Sequence, residues 1–71
     1  MAVDNHIAIG SVVEVRQFAQ NGTVLTEQWL SAIVRDLDEA TFVVEKVDGS
    51  QFAGGEVTRR LRRSEYRSHW R

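Results

Sequence analysis

The feature that most limits the fold of this chain is its punctuation. Short bursts rich in Val, Ile, Thr, Phe and Trp are cut by clusters of Gly, Asn, Asp and Ser. β-Branched and aromatic residues fit a pleated, half-buried surface, and the punctuating residues reach turn conformations at low cost. The first burst follows Gly10-Ser11 and sets Val13 and Val15 against Glu14 and Arg16, the period of two of a half-buried strand. The second, residues 29–35, places Leu30, Ala32 and Val34 on one uniformly apolar face and Trp29, Ser31, Ile33 and Arg35 on the other. The first of these faces should point into a core.

After the acidic break Asp36-Leu37-Asp38-Glu39-Ala40, residues 41–47 read as a third strand. Asp48-Gly49 supplies a type I′ hairpin signal, and a fourth strand is expected to return through Ser50-Gln51-Phe52. Ala53-Gly54-Gly55 interrupts it with a bend or bulge before a short fifth piece near Leu61. Between the first two strands, residues 17–28 form either a long two-stranded arm turning on Asn21-Gly22 or a twelve-residue loop. Residues 64–71 have the spacing for two turns of helix, with Ser64 as N-cap and Tyr66 and Trp70 stacked at i and i+4. Eight residues make a marginal helix in water, so the segment must dock its aromatics on the body or await a partner.

Seventy-one residues leave room for one small core. With no cysteine there is no disulfide framework and no thiolate-bound zinc, which leans towards a reducing, intracellular compartment. No apolar run reaches the length of a membrane span, and residues 1–10 carry Asp4 and His6 in place of a basic start, so neither a membrane partner nor a signal peptide is expected. The formal charge of −1 is uninformative until the chain is divided. Residues 1–57 hold three cations against nine carboxylates, or −6, and residues 58–71 hold six arginines against Glu65 alone, or +5. An acidic body with a basic tail is a statement about partners.

Catalytic chemistry is poorly supported. General acid–base catalysis needs a histidine or paired carboxylate held near a nucleophile, and the two histidines, His6 and His69, sit near opposite ends. No ligand set with metal spacing is present, and Gly54-Gly55 does not precede a helix as a phosphate-cradling loop would. We therefore expect no enzyme, no catalytic residue, no metal and no cofactor.

Gly10-Ser11-Val12-Val13-Glu14-Val15, followed by Trp29-Leu30-Ser31-Ala32-Ile33-Val34, resembles the Agenet and Tudor-like domains of the Royal superfamily. Residues 42–45 through Asp48-Gly49, then Val57 to Leu61-Arg62, are similar to that family's third strand, hairpin and closing Leu-Arg. The resemblance spans residues 9–63. It implies an all-β fold, a small SH3-like, five-stranded antiparallel barrel with a short helical or irregular C-terminal tail. The chain then divides into an N-terminal arm (1–8), the barrel (9–63) and a basic aromatic tail (64–71).

The resemblance also implies a nuclear chromatin module that binds a histone tail or other basic peptide, unmodified or methylated on lysine. Such modules hold a methylammonium group in a cage of rings, where a soft cation gains from the negative faces of the aromatics. Here the rim would be drawn from Phe18, Trp29, Phe42 and Phe52, with Asp48 as the nearby carboxylate. Lys46 stands where these domains often place a cage tyrosine. Packing competes for the same rings: Trp29 could cover an open core, and Phe42 shares a strand face with Val44. The chain is also expected to work as part of a larger protein or complex.

A second reading starts from the tail. Arg59, Arg60, Arg62, Arg63 and Arg67, continuing to Arg71 and interleaved with Tyr66, His69 and Trp70, have the composition that grips DNA or RNA. Guanidinium groups pair with phosphates and rings stack on bases. Against it stands self-neutralisation of the tail by the acidic body, though an exposed pair contributes only about 0–1 kcal/mol.

Overall fold

The computed structural model describes residues 6–71, and the greater part of the expected N-terminal arm lies outside them. Four antiparallel strands, β1 (Val12–Asn21), β2 (Val24–Leu37), β3 (Thr41–Lys46) and β4 (Thr58–Arg62), form one curled sheet in the order β1-β2-β3-β4. The fold is all-β, a half-barrel, and a single 3-10 turn (Arg63–Glu65) follows β4. Among the described residues no helix is long and apolar enough to cross a membrane.

The curl comes from β2, whose 14 residues serve two neighbours. Residues 24–33 pair with β1 and residues 32–37 with β3. Between Val34 and Asp36 the pairing with β3 slips, leaving Arg35 as an extra residue, and such a bulge bends and twists its strand. Residues 17–28 take the arm alternative: β1 and β2 stay paired out to Asn21 and Val24. The turn is centred one residue later than the Asn-Gly dipeptide suggests. Gly22, at φ 66, takes the first central position, the placement a type II′ turn requires.

Alternation predicts the inward faces well. Val13, Val15, Ala32, Val34, Phe42 and Val44 are all buried, with Leu61 of β4 opposite Phe42. Two further core residues come from outside the strands. Phe52 is 2% exposed and Trp70 1% exposed. The expected fourth strand through Ser50-Gln51-Phe52 does not form, so the described residues hold four strands and not five. Gly54 and Gly55 both take positive φ, Gly55 N–H bonds the Phe52 carbonyl at 3.0 Å, and Phe52 N–H bonds that of Glu56 at 2.7 Å. This closed loop drops the Phe52 ring into the core. At Asp48-Gly49 the chain turns, with Gly49 N–H bonded to the Lys46 carbonyl at 3.0 Å, but only Gly49 has positive φ, so the turn is not the type I′ of a paired hairpin.

The tail does not form the expected two helical turns. After the 3-10 turn, Arg67 takes φ 76, outside the right-handed helical region, and its N–H bonds the Trp70 carbonyl at 2.6 Å. Tyr66 and Trp70 still meet, at 4.9 Å between ring centroids. Residues 69–71 then run along the free edge of β1. Glu14 and Arg71 exchange backbone hydrogen bonds at 2.7 and 2.8 Å, and Arg16 N–H bonds the His69 carbonyl at 2.9 Å. The Trp70 indole crosses the core to meet Phe42 edge-on at 4.9 Å and donates to the Arg62 carbonyl at 2.8 Å. One residue thereby joins the first strand to the last.

The β2–β3 turn is held by Asp38. Its carboxylate accepts hydrogen bonds from the Ala40 and Thr41 amides and the Thr41 hydroxyl, at 3.0, 2.8 and 3.2 Å. The Thr41 amide, then that of Ala40, lower its pKa below the ordinary aspartate value. A depressed folded-state pKa stabilises the fold above the unfolded value of 3.8 and loses that stabilisation as pH falls through the lower folded value. Asp38→Ala is therefore expected to lower the melting temperature at pH 7, with the gap to the parent chain narrowing below pH 3.8. Thermal unfolding followed by circular dichroism across acid to neutral pH checks this, and a gap that does not narrow refutes it.

Candidate functional site

The five residues expected to form an aromatic rim do not share a surface. Phe42 and Phe52 belong to the core, because the inward register of β3 and the Gly54-Gly55 loop bury them. Asp48 serves its own turn, accepting from the Ser50 hydroxyl at 2.6 Å and the Ser50 amide at 2.9 Å. These two bonds, the hydroxyl's first, lower its pKa. Phe18 and Trp29 remain outside, on the outer face of the β1–β2 hairpin, where the register sets Arg16 opposite Trp29 and Phe18 opposite Glu27.

That face carries a continuous chain of contacts. The Arg71 guanidinium donates to Glu14 at 2.9 Å and lies 3.9 Å from the Trp29 ring centroid. The Trp29 indole donates to Glu27 at 2.8 Å, and the other oxygen of Glu27 meets Arg16 at 3.1 Å. Arg16 in turn lies 4.7 Å from the Phe18 centroid and donates to the Ser68 carbonyl at 3.0 Å. Both outward rings thus have a guanidinium of the chain itself over one face. Two more rings carry one as well: Arg59 lies 4.7 Å from Phe52 and Arg67 5.6 Å from Tyr66. Lys46 stands 6.0 Å from Phe52 and bonds the Gln51 carbonyl at 3.3 Å. Contacts of this kind contribute about 0.5–1 kcal/mol each at exposed sites.

Four carboxylates of the acidic body are spent on ion pairs with arginine. Glu14, Glu27, Glu45 and Glu56 meet Arg71, Arg16, Arg35 and Arg59 at 2.9, 3.1, 2.9 and 3.4 Å. Glu65 caps the 3-10 turn through the Arg62 amide at 3.0 Å and lies 3.7 Å from His69. The arginines following Val57 divide accordingly. Arg59 and Arg71 are bound to carboxylates, and Arg63 donates to the Asp38 carbonyl at 3.1 Å. Arg60 and Arg62 alternate with buried Leu61 on the outer face of β4, beside Thr41, whose hydroxyl receives Arg60 at 2.9 Å. Arg60, Arg62 and Arg67 are all exposed.

No family model, curated protein or solved structure matches the chain. The site must therefore be read from its own geometry.

The most enclosed gathering of cations has no counterpart in the sequence pattern. A cleft of about 350 Å³ opens between β1, the loop before β4 and the tail, lined by Arg16, Gln17, Phe18, Ala53, Arg59, Ser68 and His69. The loop is anchored there by the Ala53 amide, which donates to the Gln17 side chain at 3.0 Å. Among the described residues one buried side-chain polar atom lacks a partner, Arg16 Nε. A buried donor left unpaired costs about 1–3 kcal/mol, and this one belongs to a side chain that also lines the cleft. Among the described residues no group of three or more His, Asp or Glu gathers where it could hold a metal.

Proposed function

We propose that this chain is a non-catalytic recognition module on an SH3-like barrel of Tudor or Agenet type, and that it binds nucleic acid through phosphate contacts. The barrel reading is supported by the meander β1-β2-β3-β4 and by residues 69–71, which take the closing position on β1 as a very short fifth strand would. The observation that carries the ligand is the separation of charges. Glu14, Glu27, Glu45 and Glu56 hold arginines, whereas Arg60, Arg62 and Arg67 stay exposed along β4 and the turn after it, with no ion pair among the described residues. Arginine forks match phosphate oxygens, and their contacts release counterions.

The test is a titration with a short DNA duplex, a single strand of the same length and an RNA strand at several salt concentrations. Affinity that falls linearly on a log–log plot against salt supports the reading. Binding that is absent at low salt, or insensitive to salt, removes it.

One observation keeps a second ligand in play. Trp29, with Glu14 and Glu27 beside it, already receives a cation, Arg71. A basic histone-tail peptide would compete with Arg71 for that seat. On this reading Arg71→Ala raises affinity for unmodified or lysine-methylated histone peptides at least several-fold, with a change in Trp29 fluorescence. Peptides that bind neither chain dismiss it. Both ligands occur together in chromatin, so a nuclear setting accords with either.

A further inference from the structure

We propose that the cleft between β1, the loop before β4 and the tail is a binding site for one phosphate and its adjoining base in a single-stranded nucleic acid. The inference rests on the nucleic-acid reading and adds to it a seat away from the exposed arginines of β4.

The cleft brings two guanidiniums together from distant parts of the chain, Arg16 from the middle of β1 and Arg59 from the start of β4, with His69 from the tail. No carboxylate lines it. A guanidinium has five N–H donors in a planar fork. Arg16 commits one Nη1 hydrogen to Ser68 and one Nη2 hydrogen to Glu27, which leaves a second hydrogen on each, whereas its Nε–H is buried away from solvent. Arg59 makes one contact to Glu56, the longest of the arginine ion pairs at 3.4 Å. Both guanidiniums rest against phenyl rings, Arg16 on Phe18 and Arg59 on Phe52, which limits their freedom before any ligand arrives. Donors fixed in advance and left unspent are what a phosphate oxygen requires.

Phe18 supplies the second half of the site. It lies at the cleft, is 47% exposed, and carries Arg16 over one face. A base stacked on a phenyl ring of this kind adds affinity with little regard to sequence. A base in a duplex is already stacked on its neighbours, so the seat selects single strands. The volume, about 350 Å³, lies at the lower end of the range for ligand pockets and suits one nucleotide.

The test measures anisotropy of a labelled thymidine 12-mer and of a duplex of equal length with the parent chain, Phe18→Ala, Arg16→Gln and Arg59→Gln. Circular dichroism verifies each fold. Phe18→Ala is expected to weaken single-strand binding about tenfold, leaving duplex binding and the salt slope unchanged. Arg59→Gln is expected to reduce the single-strand salt slope by about 0.7. If Arg16→Gln fails to fold because Glu27 and the Ser68 carbonyl lose their guanidinium, the other two variants decide the matter. Single-strand binding by the parent chain with no change in Phe18→Ala and Arg59→Gln overturns the cleft and leaves the wider nucleic-acid reading standing. No binding by the parent chain overturns both. Competition by inorganic phosphate as effective as by thymidine 5′-monophosphate overturns the base half of the assignment.

Discussion

Trp70→Ala is expected to unfold the chain. The indole is 1% exposed, meets Phe42 edge-on and Tyr66 obliquely, and donates to the Arg62 carbonyl. Truncating a buried tryptophan costs about 3–5 kcal/mol in transfer and cavity terms. The lost edge-on pair adds about 0.5–1.5 kcal/mol, and the orphaned carbonyl adds to both. Small domains lie near the lower end of the usual range of about 5–15 kcal/mol, so a loss of this size consumes most of the stability present. The damage is also topological, since residues 69–71 hold the edge of β1 and Trp70 ties that edge to β4. Trp29→Ala provides the contrast: a half-buried ring on the outer face gives up its contacts with Arg71 and Glu27 for about 1 kcal/mol or less. Urea and thermal unfolding of the two variants compare the tryptophans directly. A folded Trp70→Ala chain with near-parent stability would show that the tail is dispensable.

The contrast between the two tryptophans shows where sequence reading reaches its limit. Alternation is informative when a strand has one wet face and one dry face, as with Val13 and Val15, Leu30 to Val34, and Phe42 with Val44. Trp70 and Phe52 enter the core from segments with no period of two. Phe52 is turned inward by a loop closed on its own backbone, and Trp70 by edge pairing with a strand more than fifty residues earlier. Neither is encoded locally. Gly54-Gly55 is legible as a break in a strand, but two successive positive φ values make it a reversal that removes the strand.

The site is less legible than the fold for a related reason: register. With Asn21 and Gly22 as the central turn residues, Arg16 would face Glu27 and Trp29 would face Glu14. With Gly22 and Thr23 central, Arg16 faces Trp29 and Glu27 faces Phe18, while every residue keeps its side of the sheet. The hydrophobic pattern does not distinguish these pairings, because a shift of two preserves the faces. Only the glycine's place in the turn does. Arg16 therefore reads as an ordinary outward residue, although it touches Glu27, Phe18 and Ser68 at once. The charge division after Val57 is visible in the sequence; which arginines the acidic body takes is not, since that depends on pairs as remote as Glu14 with Arg71.

The largest functional effect is expected from neutralising the arginines that the body leaves exposed. Arg60→Gln, Arg62→Gln and Arg67→Gln together remove three exposed cations that make no ion pair among the described residues, although Arg60 lends its charge to Asp38. The fold should lose little, chiefly the bond from Arg60 to Thr41, at about 0.5–1.5 kcal/mol. Each arginine that contacts a phosphate contributes about 0.9 to the slope of log affinity against log salt on duplex DNA, so the triple variant should lower that slope by about 2.7. At low salt, where counterion release is strongest, its affinity should fall by one to two orders of magnitude. Arg35→Gln is the matched control, since Arg35 is bound to Glu45 on the middle of the sheet and should leave the slope close to that of the parent chain. The peptide reading gives the opposite forecast for the triple variant, because removing positive charge near an acidic surface does not weaken a basic peptide. Equal salt slopes for the parent and triple variant would reject a phosphate role for Arg60, Arg62 and Arg67, and would return the weight of the functional argument to Trp29 and the cation already seated on it.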